Sequence, residues 1–238
     1  MKDQYDVVIV GGAVIGSAVA YYLSANPDFD GSVLVIERDP TYLKAATSLS
    51  SSSIRTQFSN PINVRISQYG SEVIRNFGEM MQVGDDRPDL GFHSGGYLFL
   101  ANTPEQVQVL KENHEAQVSC GADVVLWNRD ELANAFPHLN VADIELASYG
   151  RSGEGWFNNT GLMYGFKNKA RSLGVETVAE GVETIDHARL LQTLGCDILQ
   201  GYAFARPLSF ELFAEQALHS SWAYTSMDVW PAGNAAAR

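Results

Sequence analysis

Residues 5 to 37 read YDVVIV, GGAVIG, SAVAYYLSA, a polar connection and SVLVIE, and this succession leaves few folds open. The first six residues make a strand of the largely apolar kind found in parallel sheets buried on both faces. Gly11, Gly12 and Gly16 interrupt the uncharged run 7–23 and Asp6 abuts it, which favours a strand, a tight turn and a helix over a membrane span. Ala and Leu give the helix a packing side, and SVLVIE (32–37) supplies a second buried strand ending in Glu37.

This spacing has a chemical reading. Gly11 permits a sharp exit from the strand, Gly16 permits close packing of helix on strand, and the helix N-terminus then offers free N–H groups and a positive dipole end to a pyrophosphate. The turn formed by Gly11, Gly12, Ala13, Val14, Ile15 and Gly16 is therefore a candidate dinucleotide site. Glu37, 26 positions after Gly11, would accept hydrogen bonds from ribose hydroxyls, with Arg38 beside it. An acid there favours the unphosphorylated ribose of FAD or NAD over that of NADP. The middle glycine of the pattern is replaced by Ala13, whose methyl group crowds the phosphate approach, so Gly12 has to supply the room. The alternative is a strand–turn–helix unit with no ligand.

Acidic residues number 28 against 16 basic ones, and the formal net charge of −12 argues against nucleic acid or an anionic membrane surface as partner. A nucleotide would have to be held by local geometry. The 238 residues, 45% of them hydrophobic, can fill one large core or two small ones. Cys120 and Cys196 show neither metal-ligand spacing nor a disulfide framework, and no basic segment followed by an apolar core opens the chain, so a reducing, cytoplasmic setting is expected. The five histidines suggest no metal site.

Beyond Glu37 the chain continues RDPTYLKAATSLSSSSIRTQFS, and later segments read GFHSGGYLFLA (91–101), NRDELANAFPHLN (128–140) and SGEGWFNNTGLMYGFKNKARSLGVE (152–176). Together with DVVIVGGAVIGSAVAYYL these segments resemble FAD-dependent oxidoreductases of the D-amino-acid-oxidase and sarcosine-oxidase (DAO) group over residues 3–176. The resemblance implies that Ser51, Ser52 and Ser53 donate to the FAD phosphates or ribityl chain. It also places Arg55 near the isoalloxazine or a substrate carboxylate, where a guanidinium stabilises negative charge or clamps a carboxylate bidentately. The bland alternative is a flexible polar loop and a solvated arginine. Val182 is the closest match to a valine whose backbone contacts adenine in that family.

Between these motifs, Ile62, Ile66, Tyr69, Val73, Phe77 and Met80 or Met81 recur at helical intervals and predict a packing helix over 62–81. GGYLFLAN, DVVLWN and IELASYG read as strands, PEQVQVLKENHEAQVSC and RDELANAFP as helices. The resemblance implies that these build a mixed sheet over the flavin, a substrate domain interleaved with the nucleotide domain. His93, just before a strand, is a candidate proton acceptor or an ordinary structural histidine.

A second resemblance begins near residue 169. VAEGVETIDHARLLQTLGCDILQGYAFARPLSFELF (178–213) is similar to the C-terminal end of EAL-type cyclic-di-GMP phosphodiesterases, with Glu180 and Gln200 at motif positions. One Glu and one Gln cannot hold two metal ions about 4 Å apart, so hydrolysis of cyclic-di-GMP is not expected. Residues 168–184, NKARSLGVETVAEGVET, suit both parents and act as a joint.

The resulting expectation is an α/β protein. Its parts are a Rossmann-like FAD-binding parallel sheet with an interleaved mixed-sheet substrate domain (1–176, shorter than the resembled family), a partial EAL-like βαβα segment (177–222) and a loose tail (223–238). Strands near 175–180 and 197–202 should extend one parallel sheet. The expected function is FAD-dependent oxidation of an amine or amino acid, with the electron acceptor open. The alternatives are an FAD- or ADP-binding protein without turnover and a degenerate cyclic-di-GMP module.

Overall fold

The computed structural model describes residues 4–193, 196–204, 206, 207, 209, 211 and 212. Four strands, β1 (Val7–Val10), β2 (Val33–Glu37), β8 (Glu176–Ala179) and β9 (Ile198–Leu199), form a parallel sheet in the order β1-β2-β8-β9. Val7 to Val10 lie beside Val33 to Ile36, and Leu34 to Glu37 beside Glu176 to Ala179. β-branched residues suit these positions because their stiff side chains pack well on a pleated surface. Helices α1 (Val14–Ser24) and α5 (Asn159–Ser172) cover one face, where Ala20, Val33, Val35, Ala170 and Val175 are buried together.

The other face differs from the expectation of a strand buried on both sides. Val8 and Val10 on β1 are 50% and 85% exposed, because among the described residues nothing covers that face of β1. β1 is also the outermost strand of the sheet.

The predicted extension of the sheet by the second resemblance is present. Val178 and Ala179 pair in parallel with Ile198 and Leu199. Asp197 ties the two segments together: its Oδ2 accepts from Thr177 N–H at 2.9 Å and Thr177 Oγ1 at 2.8 Å, and its Oδ1 lies 3.4 Å from Arg171 on α5. Helix α6 (Ile185–Thr193) packs Ala188 and Leu191 onto Ala179 and Val182. Most of the last helix of the expected βαβα segment, and the whole tail 223–238, lie outside the described residues.

A three-stranded sheet, β4 (Tyr97–Ala101), β6 (Leu146–Gly150) and β5 (Val124–Trp127), forms the interleaved part. It is antiparallel throughout its described strands, narrower than the mixed geometry expected from sequence. A short ribbon pairs β3 (Ser53–Ile54) with β7 (Gly155–Trp156). Around this sheet run α3 (Pro104–Ser119), capped by Thr103, and α4 (Arg129–Ala135), opened by a reciprocal capping box between Asn128 and Glu131.

Helix α2 (Pro61–Met80) joins the two sheets, with Val73, Ile74, Phe77 and Met81 packed against Leu90 and Phe166. Its predicted apolar stripe holds only in the second half. Ile62, Ile66 and Tyr69 are more than half exposed, since the first half is anchored instead through Val64 onto Ala122 and Val124.

Candidate functional site

The turn after β1 has the geometry that the glycine spacing demands. Gly11 sits at φ +98°, and its N–H donates to Ile36 O at 2.8 Å. A Cβ on Gly16 would lie 1.8 Å from Gly11 O, so only glycine lets α1 start this close to the strand. Ser17 Oγ donates to Gly12 O at 2.7 Å and locks the turn from inside.

Helix α1 then begins without a side-chain cap: Ala13 is its N-cap, and no acid occupies the first turn. By contrast α2, α3, α4 and α5 are each capped by an Asn or Thr side chain. Val14 N–H is taken by Thr47 Oγ1 at 3.3 Å, and Ile15 is 75% exposed. An uncapped helix end of this kind, with its partial positive charge, favours an anionic group.

Glu37 closes the site from β2. Its Oε2 accepts Gly12 N–H and its Oε1 accepts Asp39 N–H, both at 2.8 Å. A carboxylate offers about four acceptor positions, so Glu37 braces the turn and keeps capacity for two further donors such as ribose hydroxyls. Tyr42, 4% exposed, lies behind Gly12, and burial, with Glu37 adding, pushes its phenol above the usual range. Lys167 on α5 is also buried, its ammonium over the rings of Tyr42 and Tyr164; burial is the leading cause that draws it below the ordinary lysine value. Arg38 is exposed beside Glu37.

The serine run is held by hydrogen bonds, not loose. From Val14 the track passes to Thr47, whose carbonyl accepts from Asn159 Nδ2; the same amide reaches Ser50 O at 3.4 Å. Phe157 N–H donates to Ser52 O at 2.9 Å, Ser52 has φ +58°, and the Ser51 and Ser53 hydroxyls lie 3.4 Å apart on the exposed side. The loop thus leads from the start of α1 to the β3–β7 ribbon.

Arg55 follows that ribbon and is not a solvated charge. Its guanidinium lies over Phe58, Tyr97 and Phe99, at 4.8, 5.4 and 5.8 Å from the ring centroids. Its Nε is buried without a hydrogen-bond partner. Such an orphaned donor in an aromatic surround suits an acceptor brought by a ligand.

Val182 leaves the predicted set. It is fully buried, its N–H donates to Gln200 O at 3.1 Å and its carbonyl accepts from Ala203 N–H at 2.8 Å, so the turn after β9 has taken the backbone groups that adenine would need. Glu180 and Gln200 are exposed at the ends of β8 and β9, and among the described residues no group of His, Cys, Asp or Glu could hold a metal ion. His93 stacks on Trp156, with ring centroids 4.0 Å apart.

Glu154 was missed by sequence reasoning. Wholly buried, it accepts from Thr56 N–H and Thr56 Oγ1, both at 2.6 Å, and from Gln57 Nε2 at 3.0 Å, which fixes the two residues after Arg55. The only available signal was an acid between two glycines in SGEGW.

The profile of the FAD-dependent oxidoreductase (DAO) family matches residues 6–198. This chain belongs to the FAD-dependent oxidoreductase family. Over 176 residues it is 44% identical to FAD-dependent oxidoreductase domain-containing protein 1 of Xenopus laevis, covering 73% of this chain and 35% of that protein. Mitochondrial dimethylglycine dehydrogenase of Rattus norvegicus is 27% identical over 174 residues, 73% of this chain and 19% of the relative. The structure of L-proline dehydrogenase from P. horikoshii superposes with a TM-score of 0.63 at 25% identity, covering 74% of this chain and 44% of that one. The chain thus spans about a third of the length of its Xenopus relative. A separate similarity, 46% identity over 46 residues, links 19% of the chain to 12% of the cyclic di-GMP phosphodiesterase RocR of Pseudomonas aeruginosa. FAD is the cofactor of the family. Among the described residues no helix is long and apolar enough to cross a membrane.

Proposed function

We propose that this chain binds FAD and contributes to oxidation of an amine or amino-acid substrate. The observation that carries the reading is the uncapped start of α1 after the Gly11–Gly16 turn, with Glu37 beside it at the end of the neighbouring strand. Gly11, Gly12, Ala13, Val14, Ile15 and Gly16 would receive the pyrophosphate, Glu37 the ribose hydroxyls, with Arg38 at its side, and Ser51, Ser52 and Ser53 the ribityl side. When bound, FAD supplies the acceptor for a hydride equivalent.

Arg55 would then orient the substrate by offering its unpartnered Nε–H to a carboxylate, while Phe58, Tyr97 and Phe99 keep water from the guanidinium. A carboxylate-bearing amine fits that donor, and two relatives are named for such substrates, dimethylglycine and L-proline. We assign residues 1–176 to the oxidoreductase part and 177–222 to an EAL-like addition, for which the contact of Asp197 with Arg171 supports a scaffold role. The two free thiols, Cys120 and Cys196, support a reducing, cytoplasmic setting.

An absorbance scan of the purified chain tests the reading, with flavin bands expected and bleaching on anaerobic addition of dimethylglycine, sarcosine or proline. A folded, colourless protein that takes up no added FAD defeats it. A second reading is FAD or ADP binding without turnover; flavin bands that no amine bleaches would select it. Cyclic-di-GMP should give no heat in calorimetry.

A further inference from the structure

The ribbon between the serine run and Arg55 carries an aromatic surface that the cofactor reading above leaves unused. Trp156 on β7 is 55% exposed, although an indole is among the costliest side chains to leave in water. His93 lies flat against it, centroids 4.0 Å apart and planes 17° from parallel. Two backbone bonds hold the pair in place, His93 N–H to Trp156 O at 2.9 Å and Trp156 N–H to His93 O at 3.1 Å. A large ring is thus supported on one side and open to a ligand elsewhere.

Its neighbours say what kind of ligand. Ser53 pairs directly with Trp156 across the β3–β7 ribbon, so both side chains stand on the same face, and the Ser51 hydroxyl lies 3.4 Å from that of Ser53. One face therefore presents a flat indole next to two exposed hydroxyls that can donate or accept. That combination suits a planar heteroaromatic ring with polar edges. The Val14–Thr47–Asn159–Ser50 track connects this face to the start of α1, where the phosphates would sit. Glu37, the partner for the adenosine ribose, is at the opposite end of that track from the ribbon.

We propose that Trp156, backed by His93, is a stacking platform for the isoalloxazine ring, next to the Ser51 and Ser53 hydroxyls on the ribityl side. The proposal rests on the FAD-binding reading, and the experiment separates the two. Tryptophan emission of the full chain is titrated with FAD and with ADP, and the affinity of each is measured by calorimetry for wild type, Trp156→Phe, Trp156→Leu and His93→Ala. Wild type should bind both, with FAD quenching part of the emission and ADP leaving it unchanged. Trp156→Leu should lower FAD affinity about tenfold and abolish that quenching, Trp156→Phe should keep part of the affinity, and ADP affinity should stay the same in all variants. His93→Ala, which loosens the support without removing the ring, should weaken FAD by a smaller factor.

FAD affinity in Trp156→Leu equal to wild type, or quenching that persists without Trp156, overturns the platform while the nucleotide site stands. If wild type binds FAD no more tightly than ADP, the platform also falls. Binding of neither ligand removes the nucleotide reading and the platform with it.

Discussion

Glu154→Gln changes a single oxygen to an amide nitrogen, yet it should cost the protein about 2 kcal/mol. Glu154 is buried among groups that all donate to it: Thr56 N–H and Oγ1 on one oxygen, Gln57 Nε2 on the other. A carboxylate accepts on both sides, whereas an amide has one acceptor and one donor. With its oxygen kept on Thr56, the new NH2 faces the NH2 of Gln57. That side chain cannot turn over to help, because its Nε2 also donates to Tyr97 O at 2.7 Å and its Oε1 accepts from Ser148 Oγ at 2.6 Å. The reverse orientation sets the NH2 against Thr56 N–H. Either way one buried donor is left without an acceptor, a penalty of about 1–3 kcal/mol. Glu154→Ala strips all three bonds and should cost about 3–5 kcal/mol. Urea unfolding gives the free energies, and thermal melts of Glu154→Gln should fall by about 4–8 °C for a chain of this size. Because Thr56 and Gln57 follow Arg55, affinity for a carboxylate ligand should drop as well. A Glu154→Gln protein within about 0.5 kcal/mol of wild type would mean that the network does not hold this segment.

Gly16→Ala places a methyl group against Gly11 O and should destabilise the fold by about 1–3 kcal/mol while removing ADP binding in calorimetry; retained ADP affinity would place the phosphates elsewhere. Lys167 has a depressed folded pKa, first through burial and secondarily through Arg171, against Cys196, Asp197 and Glu37, which raise it. It therefore binds fewer protons folded than unfolded, and its share of stability rises as pH climbs from its folded value to its unfolded one. Lys167→Met should flatten that alkaline rise in urea melts and add about 1 kcal/mol at neutral pH; an unchanged slope would show that this ammonium is well solvated. Val10→Lys, on the uncovered face of β1, should alter stability by less than about 0.5 kcal/mol in urea melts; a larger loss would show that this face is packed.

Much of the nucleotide half was legible because its constraints are local. Gly11 needs a positive φ, Gly16 needs to lack a Cβ, and Glu37 ends an apolar strand, and each condition is met within about 30 residues of chain. The helix over 62–81 was legible too, but not its buried face, since period alone cannot say which half of a stripe meets a partner. Val182 matched a family position by sequence, yet the turn after β9 claims its backbone, and no spacing rule contains that competition.

What the sequence by itself determined is the set of short-range conditions: the glycine turn of Gly11 to Gly16, the helix over 62–81, and a joint within residues 168–184 that both parent patterns accept. Tertiary structure alone decided which distant groups meet. It brought Glu154 to Thr56 and Gln57, Asp197 to Thr177, His93 to Trp156, and Tyr97 and Phe99 to Arg55. The physical reason is that a turn or a cap is chosen by the dihedral angles and donors of adjacent residues, whereas burying a carboxylate, a guanidinium or an indole stack depends on partners tens of residues away that only packing delivers.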